Sequence, residues 1–208
     1  MHLVEIASLS DPLFPAWLDL FELSFPTAER VLVSTFVRAL AAPDGSVSHT
    51  LLAGVGPEGD LVGMAEYQIF PAQRAAYLWY LAVQPDRRGA GAGSEIYRAV
   101  LARLPSKVCA LLLEVEKPLL VPEVSERQLA ERRIAFYHRL GAQILEGIRY
   151  MQSVGSHQPP LPMHLMVHLR APFGPEQAYA SAHEICGDLI QRSGTLRYAG
   201  GTAGDPPV

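Results

Sequence analysis

The chain is poor in the features that would place it in several broad protein classes. Two cysteines in 208 residues, Cys109 and Cys186, are too few for a disulfide framework, and both sit in apolar surroundings that read as core. A reducing compartment fits that usage. Only 18% of residues are charged, and 17 Lys+Arg stand against 21 Asp+Glu for a net charge of −4. Contact with a phosphate backbone needs a concentrated Lys/Arg face, so this balance excludes nucleic acid as the main partner. No run reaches the ~18 uncharged apolar residues of a spanning helix. The start, Met1-His2-Leu3-Val4-Glu5, lacks the basic leader and small-residue cleavage site of a signal peptide. The expectation is a cytoplasmic protein with no membrane partner. Internal repeats are also missing. What is present is an ordinary globular composition, 49% apolar, at a length that suits one domain carrying an extra terminal element.

Periodicity predicts a short strand over 2–8, helices over 12–25 and 27–42, and an antiparallel hairpin of strands 49–55 and 61–70 around the turn formers Gly56-Pro57-Glu58-Gly59-Asp60. Thr27 is the expected N-cap of the second helix. A nearly all-apolar strand follows over 75–83, as expected of one covered on both faces. A helix over 93–104 ends at Pro105, a buried strand covers 108–116, and a helix over 125–140 starts from a Ser125/Gln128 capping box and stops at Gly141. Strands over 143–154 and 163–171, a helix over 175–191 and a flexible Gly/Pro tail from Thr195 complete the chain. Three strands in succession do not fit a regularly alternating doubly wound sheet. They fit an α+β class with a mixed, mostly antiparallel sheet flanked by helices. The domain is expected over 1–171, with an appended helix over 172–194 and a tail over 195–208.

The segment that carries chemistry is Val83-Gln84-Pro85-Asp86-Arg87-Arg88-Gly89-Ala90-Gly91-Ala92-Gly93-Ser94, lying between a strand and a helix. Its glycines permit positive φ and lack Cβ atoms, so backbone N–H groups can turn together towards one anion, where the following helix adds its unpaired first-turn donors. This is a phosphate or pyrophosphate cradle. A nucleotide-triphosphate loop needs Lys then Ser/Thr after the last glycine, and here Ser94-Glu95 follow. A dinucleotide fingerprint needs G-x-G-x-x-G, and here the third glycine comes one position early. The pattern satisfied is R-x-x-G-x-G, by Arg88, Gly91 and Gly93.

With this loop, Leu81-Ala82-Val83 before it, Leu113-Glu114-Val115 in the next strand and Ala135-Phe136-Tyr137-His138-Arg139-Leu140-Gly141 in the next helix, the chain resembles the GNAT superfamily of acyl-CoA-dependent N-acetyltransferases. The resemblance covers residues 1 to about 171, roughly four-fifths of the sequence. It implies the GNAT-like acyl-CoA N-acyltransferase fold, whose sheet splays beside the strand ahead of the loop. It further implies acetyl-CoA as co-substrate, with no metal. Backbone groups of Leu81, Ala82 and Val83 would pair with the pantetheine arm. Those of Gly89, Ala90, Gly91, Ala92, Gly93 and Ser94 would hold the pyrophosphate, with Arg88 beside them. Tyr137 matches the tyrosine that protonates the departing thiolate, and Glu114 matches a position used as general base in some members.

The chemistry needs such groups. An amine attacks the thioester only after losing a proton, and the leaving thiolate takes one up. The sequence departs from the family at Gly141-Ala142, where Gly-Phe is usual, and at Ala130, where asparagine is frequent. The Lys117–Val124 loop is longer than in compact members. Tyr137 shares a helical arc with Leu129, Ala130, Ile134 and Leu140 and could simply pack there. Glu114 and Glu116 share a strand face, and Glu66 competes with Glu114 as base. His164 and His168 share a face without a third metal ligand in register. The expected activity is direct acetyl transfer to a primary amine. Transfer from a longer acyl-CoA or an acyl carrier protein, and a non-catalytic acyl-CoA-binding regulatory module, stay open, as does a homodimer. Acceptor choice is expected to reside in residues 12–42 and in the loops 118–125 and 155–162.

Overall fold

In a computed structural model, residues 1–41, 48–153 and 160–199 are described; among them are eight strands and five α-helices. The contacts divide the chain into two compact units. None of the described helices is long and apolar enough to cross a membrane.

The first unit spans Met1–Pro71 and Ala76–Ser106. It holds β1 (His2–Ile6), α1 (Phe14–Ser24), α2 (Val33–Ala41), β2 (Ser48–Val55), β3 (Leu61–Phe70), most of β4 (Ala75–Val83) and α3 (Ala92–Arg103). Its strands lie in chain order, β1-β2-β3-β4. The antiparallel register places Val4 against Ala53, Leu51 against Glu66 and Ala53 against Met64. Alternation therefore puts Leu51, Ala53 and Met64 on one face, where they meet Trp17 and Phe21 of α1 and Phe36 of α2. Phe21 stands edge-on to Phe36 at 5.0 Å and to Tyr80 at 4.8 Å between ring centres. The Trp17 indole N–H donates to the Leu52 carbonyl at 3.0 Å, so its burial leaves no orphaned donor.

Tyr80 ties the α1–α2 connection to β4: its hydroxyl donates to the Glu29 carbonyl at 2.9 Å and accepts the Val31 N–H at 3.0 Å. The connection contains a 3₁₀ turn at Thr27–Glu29, and α2 begins only at Val33, five residues later than a Thr27 cap predicts. Thr27 instead accepts a hydrogen bond from the Arg30 guanidinium at 2.8 Å.

On the opposite face α3 buries Ile96, Tyr97 and Val100. Gly63 makes room for it. A Cβ built on Gly63 would stand 2.6 Å from Ile96 Cδ1 and 2.7 Å from the Ala82 carbonyl oxygen.

The second unit contains β5 (Ala110–Glu116), α4 (Val124–Arg139), β6 (Ala142–Gln152), β7 (Leu161–Leu169), α5 (Pro175–Cys186) and β8 (Ile190–Ala199). Its strand order is β5-β7-β6-β8, with every pair antiparallel. The expected capping box is not used: the N-cap of α4 is Glu123, without a side-chain bond, and Arg127 reaches back to the Val121 carbonyl. Gly141 follows α4 with φ +96°, as a C′ glycine does.

The C-terminal segment departs from expectation. The helix stops at Cys186, and residues 190–199, read in part as tail, form β8 on the free edge of β6. The polar sequence Gln191-Arg192-Ser193-Gly194-Thr195 has little apolar periodicity because most of it is exposed. Main-chain pairing with β6 holds it. The last residues of the expected tail, 200–208, lie outside the described residues, as does most of the 155–162 loop.

Candidate functional site

The glycine loop runs from the end of β4 through a 3₁₀ turn at Pro85–Arg87 to Gly91, the N-cap of α3. Gly89 and Gly91 take φ +84° and +88°, in the left-handed region that costs a side-chain-bearing residue about 1–2 kcal/mol. A Cβ at either would meet nothing within 4 Å, so conformation rather than crowding calls for glycine there. No side chain caps α3. The first helical hydrogen bond after the loop runs from the Glu95 N–H to the Gly91 carbonyl at 3.1 Å. The N–H groups of Ala92, Gly93 and Ser94 thus occupy the helix start that leaves donors unpaired, at the positive end of the helix dipole.

The arginines divide. Arg87 pairs with Asp60 at 2.9 Å and lies 3.5 Å from Asp86. Arg88 donates through Nε to the Val83 carbonyl at 3.0 Å, which anchors the loop to the last residue of β4. Residues 85–91 are exposed, Ala82 is buried, and Leu81 and Val83 are half-buried. The loop therefore offers open, anion-seeking backbone donors beside a strand end. That arrangement suits an anion such as a pyrophosphate.

The same unit holds a buried polar cluster whose carboxylate the sequence had raised only as a competitor. Glu66 of β3 is 1% exposed, and its Oε1 lies 2.8 Å from His49 Nδ1 on β2. The Gln68 amide nitrogen rests against the same imidazole, contacting Nδ1 at 2.9 Å and also Nε2. The Trp79 indole N–H donates to Gln68 Oε1 at 2.9 Å. Burial raises the Glu66 carboxyl above the usual carboxylate range, while the His49 hydrogen bond and charge draw it back.

Adjacent residues Trp79 and Tyr80 both engage this helix-facing layer, through Gln68 and Phe21 respectively, so β4 departs from strict alternation there. A lone Glu inside the apolar run Leu61-Val62-Gly63-Met64-Ala65-Glu66 was the available signal. The partnership with His49 was not visible, because it depends on pairing across the hairpin.

In the second unit, Glu114 accepts a 2.5 Å hydrogen bond from the Tyr150 hydroxyl of β6. Cys186, at the end of α5, joins this pair. Burial and the Glu114 charge push its thiol up to about 12, against a hydrogen bond with Tyr150. Glu116, on the same strand face, forms an ion pair with Arg133 of α4. Tyr137 lies one turn beyond Arg133. Burial pushes the Tyr137 hydroxyl up to about 12, with the Arg133 charge pulling the other way. Both expected catalytic side chains therefore belong to this unit, and Glu114 is already held by a neighbour. His164 and His168 are drawn below the usual histidine range, chiefly by burial.

Comparison with known proteins bears on this arrangement. The family model described as "Acetyltransferase (GNAT) family" matches residues 14–142. A GNAT-family protein of known structure from Bacteroides thetaiotaomicron is 24% identical, with a TM-score of 0.69 over 89% of this chain and 98% of that one. An aminoglycoside 6'-N-acetyltransferase complexed with coenzyme A is 18% identical, with a TM-score of 0.58 over 83% and 98%. The ribosomal-protein-S18-alanine N-acetyltransferase of Escherichia coli is 19% identical, with a TM-score of 0.53 over 83% and 97%. A search of curated proteins gave no match.

Proposed function

The chain belongs to the GNAT acetyltransferase family, and from that premise we propose that it moves an acetyl group from acetyl-CoA directly to a primary amine. The observation that carries the proposal is the glycine loop, with Gly89 and Gly91 at positive φ and the uncapped start of α3 beside the end of β4. Gly89, Ala90, Gly91, Ala92, Gly93 and Ser94 bind the pyrophosphate through backbone N–H groups. Arg88 braces the loop, and the main chain of Leu81, Ala82 and Val83 receives the pantetheine arm. Acetyl-CoA supplies an activated thioester.

Tyr137 is the proposed general acid. Its raised pKa keeps the O–H intact at working pH, ready to protonate the leaving thiolate. The amine's proton goes to a base; on the sequence alone that base would be Glu114, whose carboxylate the Tyr150 hydroxyl already engages. The reading carries a cytoplasmic enzyme with no metal. Acceptors as different as an aminoglycoside and a ribosomal protein belong to the similar structures. The acceptor proposed here is therefore defined only as a primary amine.

The test is release of free coenzyme A thiol from acetyl-CoA over a panel of amino sugars, polyamines and N-terminal peptides, run in parallel with longer acyl-CoAs and acyl carrier protein. Acetyl-CoA turnover that depends on an added amine is expected. Faster turnover of a longer acyl donor would move the function to that donor. Tight coenzyme A binding without turnover of any pair would leave a binding module and overturn the enzyme reading.

A further inference from the structure

Resting on that reading, we propose that His49 is the general base that takes the proton from the acceptor amine, that Glu66 is its positioning residue, and that Glu114 is not the base. The network around His49 is read from the one contact whose direction is fixed. An indole N–H can only donate, so the Trp79 contact fixes oxygen as the Gln68 atom facing it. The Gln68 amide nitrogen, a donor only, then faces the imidazole. Glu66 lies 2.8 Å from Nδ1, the Gln68 nitrogen touches both Nδ1 and Nε2, and we assign the Nδ1 proton to the carboxylate and the Nε2 lone pair to the amide. His49 is thereby held in one tautomer, with Nε2 on a weak, uncharged donor. This is the division of labour in which a buried carboxylate orients an imidazole and stabilises the imidazolium that forms.

An arriving ammonium is a stronger donor than an amide. Charge-assisted hydrogen bonds are roughly twice as strong as neutral ones, so R–NH3⁺ displaces Gln68 from Nε2. Proton transfer to Nε2 frees the amine lone pair to attack the thioester carbonyl. The C–S bond breaks, the thiolate takes its proton from Tyr137, and the second amine proton, lost as the amide forms, restores the tyrosine hydroxyl. The proton on His49 leaves to solvent through the imidazole, whose side chain is 23% exposed, whereas Glu66 is sealed at 2%.

Position agrees with this role. Gln68 of β3 meets Trp79, and the Val62 carbonyl of β3 accepts the Gln84 N–H at 2.9 Å. Glu66 lies between these two contacts, so it stands against the part of β4 that ends in Leu81–Val83, the segment assigned to the pantetheine arm. Glu114 has the opposite circumstances, because the 2.5 Å bond from Tyr150 occupies its carboxylate.

The experiment uses His49→Gln and Glu66→Gln with acetyl-CoA and two sets of primary amines, strongly basic alkylamines and weakly basic arylamines. His49→Gln is expected to lower kcat about 100-fold or more with alkylamines, to leave coenzyme A affinity within twofold, and to cost far less with arylamines, which arrive already neutral. Added imidazole should restore part of the rate in His49→Ala. Glu66→Gln should lose about tenfold. Equal losses for both amine classes, or a His49→Gln rate within twofold of the parent, would overturn the base.

The ¹⁵N spectrum of the unsubstituted protein supplies an independent arm. Nδ1-protonated neutral His49 is expected, and an Nε2-protonated ring overturns the pair even if no amine is turned over. Failure of the parent protein to acetylate any amine would instead refute the acetyltransfer reading itself.

Discussion

Gly63→Ala tests whether close packing behind the glycine loop sets the end of β4. The built Cβ falls 2.6 Å from Ile96 Cδ1 and 2.7 Å from the Ala82 carbonyl oxygen. Ordinary contact begins at 3.4 Å, so each neighbour is about 0.7–0.8 Å too close. Ile96 is fully buried, so its Cδ1 can yield only by shifting within a packed core. The Ala82 oxygen is backbone and moves only with β4. Overpacking of this kind costs about 1–3 kcal/mol, equivalent at this chain length to a fall in Tm of about 2–4 °C per kcal/mol.

The two clashes are separable, because Ile96→Val deletes Cδ1. Alone it costs about 0.5–1.5 kcal/mol. In the Ile96→Val background, Gly63→Ala should cost about 1 kcal/mol less than in the parent, a coupling within the range seen for residues in contact. Guanidinium unfolding of the four proteins, with m held constant, measures it. The backbone clash survives in the double variant, so coenzyme A affinity should stay reduced even where stability recovers. Additivity within about 0.5 kcal/mol, or unchanged affinity in Gly63→Ala, would refute the reasoning.

Further outcomes are expected. Tyr137→Phe should lower kcat about 100-fold; because the raised pKa preserves the phenol to about pH 12, the parent's rate should not fall on the alkaline side below about pH 11 through loss of this acid. Gly91→Ala should destabilise by about 1–2 kcal/mol through its φ of +88° and weaken coenzyme A in a titration, whereas crowding contributes nothing. Cys186 should resist a thiol-specific reagent at pH 8 in the folded protein and react on unfolding, because the thiol is pushed up to about 12; rapid native labelling of Cys186 would contradict that environment.

Local patterns in the sequence carried much of this reading. The bounds of β3 and β4, Leu61–Phe70 and Ala75–Val83, coincide with the runs read from apolar content and turn formers, because adjacent residues alone encode them. The glycine loop and the helix after it were equally legible, since glycine spacing and helical periodicity are both local.

Tertiary structure decided the rest. Alternation puts Glu114 and Glu116 on one face, but only the pairing of β5 with β7, and of β7 with β6, brings Tyr150 to Glu114. A carboxylate's chemistry depends on that distant donor. Likewise Glu66 acquires His49 through the β2–β3 register, and residues 190–199 become a strand because the edge of β6 supplies main-chain partners that their own side chains do not announce. Backbone pairing is blind to side-chain identity, and buried electrostatics depend on neighbours remote in sequence; neither can be read from a window of residues.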